Sequence, residues 1–172
     1  MSKDLTHQKS IMISIVTASL AGAVFAGAWD VWWHGFLGRE SFWSPPHVLL
    51  YVSIITAVVI GFHAWRTYSH RAWKWLAITL LLVPLSAPFD ELWHRLFGVE
   101  ETTSVLVLWS PPHLVLIGAV IGALACVLIL LKQEHDRVKA RFLGALSLAS
   151  IFTLLSILAQ PFEPLGPWHL LG

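Results

Sequence analysis

The sequence predicts an all-α membrane protein with about five transmembrane helices and an internal two-helix repeat. Three observations predict it. Of 172 residues, 56% are apolar and only 12% are charged, which is too little polar surface for a water-soluble domain of this length. Five apolar runs approach or exceed the roughly 20 residues that cross hydrocarbon as a helix. One polar pattern also occurs twice, as Asp30-x-x-Trp33-His34 followed by Trp43-Ser44-Pro45-Pro46-His47, and as Asp90-x-x-Trp93-His94 followed by Trp109-Ser110-Pro111-Pro112-His113.

The runs lie near 11–33, 45–65, 72–93, 111–131 and 142–160. Lys3 and Lys9, the apolar stretch from Ile11, and Ala26-Gly27-Ala28 together resemble a secretory signal with its cleavage site. The third run leads into Asp90 just as the first leads into Asp30, and the third cannot be a signal, so the first is expected to stay as a helix. The second run opens with Ser44 as N-cap and Pro45 at the first helical position, and the fourth repeats this with Ser110 and Pro111. After the fifth run comes a tail, Pro161-Phe-Glu-Pro-Leu-Gly-Pro-Trp-His169, which reads as a frayed end, with folding back over the other polar residues as the alternative. The whole reads as one membrane domain over 1–172: repeat unit one about 11–65, unit two about 72–131, and the fifth helix with its tail about 142–172.

Charge sets the expected topology. Lys3, Lys9, Arg66, Arg71, Lys74, Lys132, Arg137, Lys139 and Arg141 are nine of the eleven Lys and Arg residues, and all fall at one end of the predicted helices. By the positive-inside rule that end is cytoplasmic, with the N-terminus inside. The connections carrying the repeated pattern hold only Arg39 and Arg95 and are expected on the exoplasmic side, the periplasm in a bacterium. Net charge of +1 gives no reason to expect a nucleic-acid partner. The expected surroundings are the lipid bilayer, with further copies of the chain or other membrane subunits beside it. Cys126 is the single cysteine, so no intrachain disulfide forms.

Aligned without a gap, 30–40 and 90–100 share Asp, Trp, His, Gly and Glu at equivalent positions, and the second loop is then six residues longer before Trp-Ser-Pro-Pro-His. Each unit is helix, exoplasmic loop, helix, in the same orientation, so an axis along the membrane normal would relate the two. Duplication for packing and turns accounts for much of this, with Trp29, Trp32, Trp33, Trp43, Trp93 and Trp109 in an interfacial belt. It does not account for one Asp and two His in each unit.

Asp30 and His34 are four apart and share a helical face, as do Asp90 and His94, while His47 and His113 sit in the first turn of the following helix. The positive end of the helix dipole there favours neutral imidazole, the form that binds metal. Two imidazoles and a carboxylate suit copper, zinc or non-haem iron, so Asp30, His34, His47, Asp90, His94 and His113 are the candidate metal ligands. Ser44, Ser110, Glu40 and Glu100 are candidates to hydrogen-bond the ligands, and either glutamate to bridge two ions. If the two sets meet, the site is dinuclear; if they stay apart, there are two mononuclear sites.

Asp30-x3-His34-x12-His47 resembles the copper site in the C subunit of the particulate methane and ammonia monooxygenases, and Asp90-x3-His94-x18-His113 is similar to the neighbouring site of that subunit. The resemblance covers about 25–120 and implies copper as the favoured metal, with oxygen activation as its chemistry and other membrane subunits as partners. The family's second site begins with Asn where this chain has Asp90. Three functions are consistent with the sequence: a metal-dependent monooxygenase or a subunit of one; a protein that stores, delivers or transports metal; and an ion or proton relay. The last is the least supported, because the helix centres offer few polar residues to continue a path.

Overall fold

In a computed structural model of the chain, which describes residues 3–37, 43–97 and 109–159, five helices form. They are α1 (Lys3–Leu37), α2 (Pro45–Thr67), α3 (Arg71–Phe97), α4 (Pro111–Leu131) and α5 (Arg137–Ala159). All five are long and apolar enough to cross a membrane, and the chain is an integral membrane protein of all-α class. The helices overrun several of the apolar runs. Helix α1 continues to Leu37 and has 35 residues, about 52 Å at 1.5 Å per residue, against about 30 Å of hydrocarbon. Once a helix has nucleated, each added residue gains a hydrogen bond at little cost, so polar turns extend it beyond the greasy segment.

Helix starts follow from local chemistry. Ser44 and Ser110 precede α2 and α4 with extended ψ angles of 148° and 146°, and proline occupies the first helical positions, where no backbone N–H is missed. Helix α5 is opened by Asp136, whose carboxylate accepts from the backbone N–H of Val138 and Lys139, both at 3.0 Å. Helix α3 runs through Pro84 and Pro88, each of which removes a backbone donor. Between them the buried Ser86 hydroxyl donates to the Val83 carbonyl at 2.7 Å, satisfying one polar group inside the turn.

Helix α1 packs most extensively along α2, and α3 along α4; α2 then meets α3, and α5 closes against α4 and α1. The buried stripe of α1 is Ile13, Val16, Thr17, Leu20, Ala23 and Val24, at helical spacing. Helix α2 turns Ser53, Ile54, Ala57, Gly61 and Ala64 inward, and its small residues let the backbones approach. A methyl group on Gly61 would stand 2.6 Å from Leu80 Cδ1, so α2 and α3 touch where no side chain fits. Large apolar side chains point the other way: Phe25, Ile55, Val59 and Phe142 are exposed, and Phe152 is 72% exposed. Bulky side chains also fill the interior, where Trp73, Leu76, Leu80 and Leu124 are fully buried; the outward Phe and Ile are tolerated because lipid provides no drive to hide them.

At the basic end, α1 is tied to the α4–α5 connection by polar groups. Lys139 donates to the Ser10 hydroxyl at 2.7 Å and to the Ser10 carbonyl at 3.3 Å. The buried Glu134 accepts from the backbone N–H of His135 at 2.9 Å and of Asp136 at 3.3 Å. Burial pushes the Glu134 carboxyl up, but hydrogen bonds from Ser10 and these two backbone groups, with the Lys139 charge, outweigh it and hold the carboxyl below its usual range. The Tyr68 hydroxyl also reaches the Leu5 carbonyl at 3.4 Å, joining α1 to the end of α2.

Two outcomes are expected. Gly61→Leu should cost about 1–3 kcal/mol through overpacking, seen as a lowered Tm in detergent, whereas Gly27→Leu, where a methyl group meets nothing within 4 Å, should leave Tm nearly unchanged. A carboxyl held below its unfolded value stabilises the fold above that unfolded value and loses the contribution as pH falls through the folded one. Glu134→Gln should therefore lower Tm at neutral pH and flatten the acid limb of a Tm-against-pH profile.

Candidate functional site

The residues singled out in the two polar patterns lie at the end of the bundle opposite the lysines and arginines. Asp30 is near the end of α1 and His47 in the first turn of α2, and the hairpin brings His47 Nε2 to 3.0 Å from Asp30 Oδ1. Asp90 and His113 are placed likewise by α3 and α4, with His113 Nε2 3.7 Å from Asp90 Oδ1. Both pairs are partly sheltered, the first more so: side-chain exposure is 17% for His47 and 23% for Asp30, against 26% for His113 and 32% for Asp90.

The surroundings of the pairs differ. In the second, Ser110 Oγ lies 2.8 Å from His113 Nδ1 and 3.5 Å from the His113 backbone N–H. The hydroxyl accepts from the backbone N–H and is hydrogen-bonded to the ring at Nδ1, which leaves Nε2 facing Asp90. In the first pair Ser44 makes no side-chain cap, and its buried hydroxyl has no hydrogen-bond partner among the described residues. His47 instead lies nearly parallel to Tyr51, ring centroids 6.0 Å apart, and Trp43 meets the same Tyr51 edge-on at 6.5 Å. The sequence reasoning missed Tyr51; its signal is the four-residue spacing from His47, which puts both on one face. The corresponding position in unit two is Ile117, which is buried.

The tryptophans at this end differ in burial and partners. Trp33 and Trp93 are half-buried, Trp33 packing edge-on against Trp29 at 6.0 Å and Trp93 against Phe97 at 4.3 Å. Trp43 is 71% exposed. Trp109 donates from Nε1 to the Leu158 carbonyl at 3.2 Å, fastening the start of α4 to the end of α5. Beside the second pair an open apolar groove of about 480 Å³ runs along α3 and the start of α4, lined by Leu85, Phe89, Trp93, Phe97, Pro111 and Val115 among others.

The structure corrects the metal expectation. Among the described residues no group of three or more His, Cys, Asp or Glu side chains is placed to hold a metal ion. That finding overturns the copper, iron or zinc cofactor, the exoplasmic metal sites, the metal storage, delivery or transport reading, and the oxygenase-like function. The resemblance to the copper-binding C subunit falls with them. The physical reason is a shortage of converging donors: each described pair offers two, half of a closed tetrahedral set, and these face each other. Nor do the two pairs combine into one larger group, so no dinuclear centre forms among them. The side chains of His34 and His94, the residues Glu40 and Glu100, and the tail from 160 onward lie outside the described residues. No family model, curated protein or solved structure matches the chain.

The contrast between the two caps is testable. Ser110→Ala removes the hydroxyl that serves both the backbone and the ring of His113 and should cost about 1 kcal/mol, read as a fall in Tm. Ser44→Ala, which removes a hydroxyl with no partner among the described residues, should cost a small fraction of that.

Proposed function

We propose that this chain is a pH-responsive membrane component whose two carboxylate–imidazole pairs take up and release protons at the exoplasmic surface, clasping each helical hairpin as they do so. The basic end faces the cytoplasm in this reading, by the positive-inside rule, and the Asp–His end faces the opposite compartment. The observation that carries the reading is the contact of His47 Nε2 with Asp30 Oδ1 at 3.0 Å across the α1–α2 hairpin, with the like arrangement of His113 and Asp90 across α3–α4.

Imidazole is the side chain whose ordinary titration spans physiological pH. When His47 is neutral, the contact is one between a carboxylate and a ring dipole. When the ring takes a proton, the contact becomes an ion pair in a partly sheltered place, where attraction is stronger than in bulk water. The charge change is local, but it acts between two membrane helices and so favours their closed arrangement. Partial exposure of all four side chains gives protons a route from the surface.

Conduction through the bilayer receives no such support. The hydroxyls of Thr17, Ser147 and Ser150 are each turned back to the carbonyl of their own preceding turn, at 2.7 to 2.9 Å, and so offer no chain of donors and acceptors. The expected company of the protein is lipid together with further copies or other membrane subunits, against which the exposed Phe36, Trp43 and Phe97 at the Asp–His end would pack.

Hydrogen exchange measured by mass spectrometry in detergent tests the reading. On acidification from about pH 8 to about pH 5.5, the range in which an ordinary imidazole gains charge, and after correction for the intrinsic pH dependence of exchange, amides around Asp30 and His47 should become better protected. Asp30→Asn and His47→Gln should abolish the change. An identical response in the wild type and both variants would sink the proposal.

A further inference from the structure

At the basic end a second cavity, of about 150 Å³, lies between the first turns of α1 and the α4–α5 connection, lined by Thr6, Lys9, Ser10, Gln133, Glu134 and His135. We propose that it binds a phosphate group, of the kind an anionic phospholipid carries at headgroup depth. The volume equals that of about five waters at roughly 30 Å³ each, enough for the four oxygens of a phosphate. Depth agrees as well: Lys9 and Ser10 immediately precede the apolar run from Ile11, and the fully buried Ile13 floors the cavity.

The charges decide what kind of guest fits. Glu134 is in the lining, and a bare carboxylate would repel an anion. Its oxygens are instead occupied by the backbone N–H of His135 and Asp136 and by Ser10, with the Lys139 ammonium nearby as its counter-charge. Lys9 is bonded to a neutral acceptor, the Gln133 side-chain oxygen, at 2.5 Å. An ammonium has three donors, so Lys9 retains hydrogens for a guest beyond the one given to Gln133. Lys132, Arg137 and Arg141 stand in or beside the same connection and, with Lys9 and Lys139, outnumber Asp4, Glu134 and Asp136 at this end. Basic pockets between membrane helices at this level are where anionic headgroups lodge. Gln133 and His135 supply neutral or switchable donors, which suits a phosphodiester better than a carboxylate-lined cation site would.

Native mass spectrometry of the full chain in detergent, with phosphatidylglycerol or phosphatidylcholine added, tests this directly. Phosphatidylglycerol should bind preferentially, and Lys9→Gln should weaken it about tenfold, the loss expected for one charge-assisted contact. The exposed Lys74→Gln at the start of α3 should bind as the wild type does. If inorganic phosphate at millimolar concentration displaces the lipid, free phosphate is also a guest; if it does not, recognition depends on the lipid, and phosphate recognition stands either way. Equal binding of the two lipids, or equal binding of phosphatidylglycerol by wild type and Lys9→Gln, would overturn the proposal. Thermal unfolding of Lys9→Gln without lipid separates a lost contact from a lost fold.

Discussion

Hydrocarbon has nothing to offer a polar group, and the whole architecture follows from that constraint. Backbone groups within the spans are satisfied along each helix, save where Pro84 and Pro88 take a donor from α3. The hydroxyls caught inside them fold back on their own turns, as Thr17 does to Ile13 and Ser147 to Leu143. Groups that carry charge or need several partners are displaced to the two ends. One end collects lysines and arginines with a buried glutamate, and the other collects two Asp–His pairs. Between them the helices meet through a packed apolar core of Leu20, Trp73, Leu76, Leu80 and Leu124, with small residues such as Ala57 and Gly61 where α2 comes close to its neighbours.

The two hairpins carry the same short pattern yet use it differently. In the first, the Asp30–His47 contact is short and the imidazole lies against Tyr51, while the capping serine has no partner among the described residues. In the second, Ser110 is hydrogen-bonded to the imidazole, while the Asp90 contact is longer. Position 51 is tyrosine and position 117 isoleucine, a difference that replaces a polarisable ring by a buried aliphatic one. The two copies therefore place similar chemistry in unlike surroundings.

Much of the fold was legible in the sequence. The five spans follow from apolar length, and the starts of α2 and α4 from Ser-Pro-Pro, because both signals act within a few residues. The site was legible only in part. Spacing puts Asp30 on the face from which it meets His47, but it does not say whether a third donor converges on the same point, and that is what a metal requires. The lock at the basic end was not legible at all. Lys9 meets Gln133 across 124 positions and Ser10 meets Lys139 across 129, so no local pattern records them.

The seat of α5 has a consequence for how the protein is made. Each hairpin has its main partner next door in sequence, so α1 with α2, and then α3 with α4, can settle soon after they leave the ribosome. The seam where α5 meets α1 and α4 joins the first part of the chain to the last. Contacts of such long sequence separation form late. Until then Lys139 has not yet reached Ser10, and the polar groups of α1 that the seam will cover face the headgroups uncovered. The flank of α1 that faces α5 therefore stays uncovered by this chain until α5 is in place, so the seam cannot close before the fifth helix has been made.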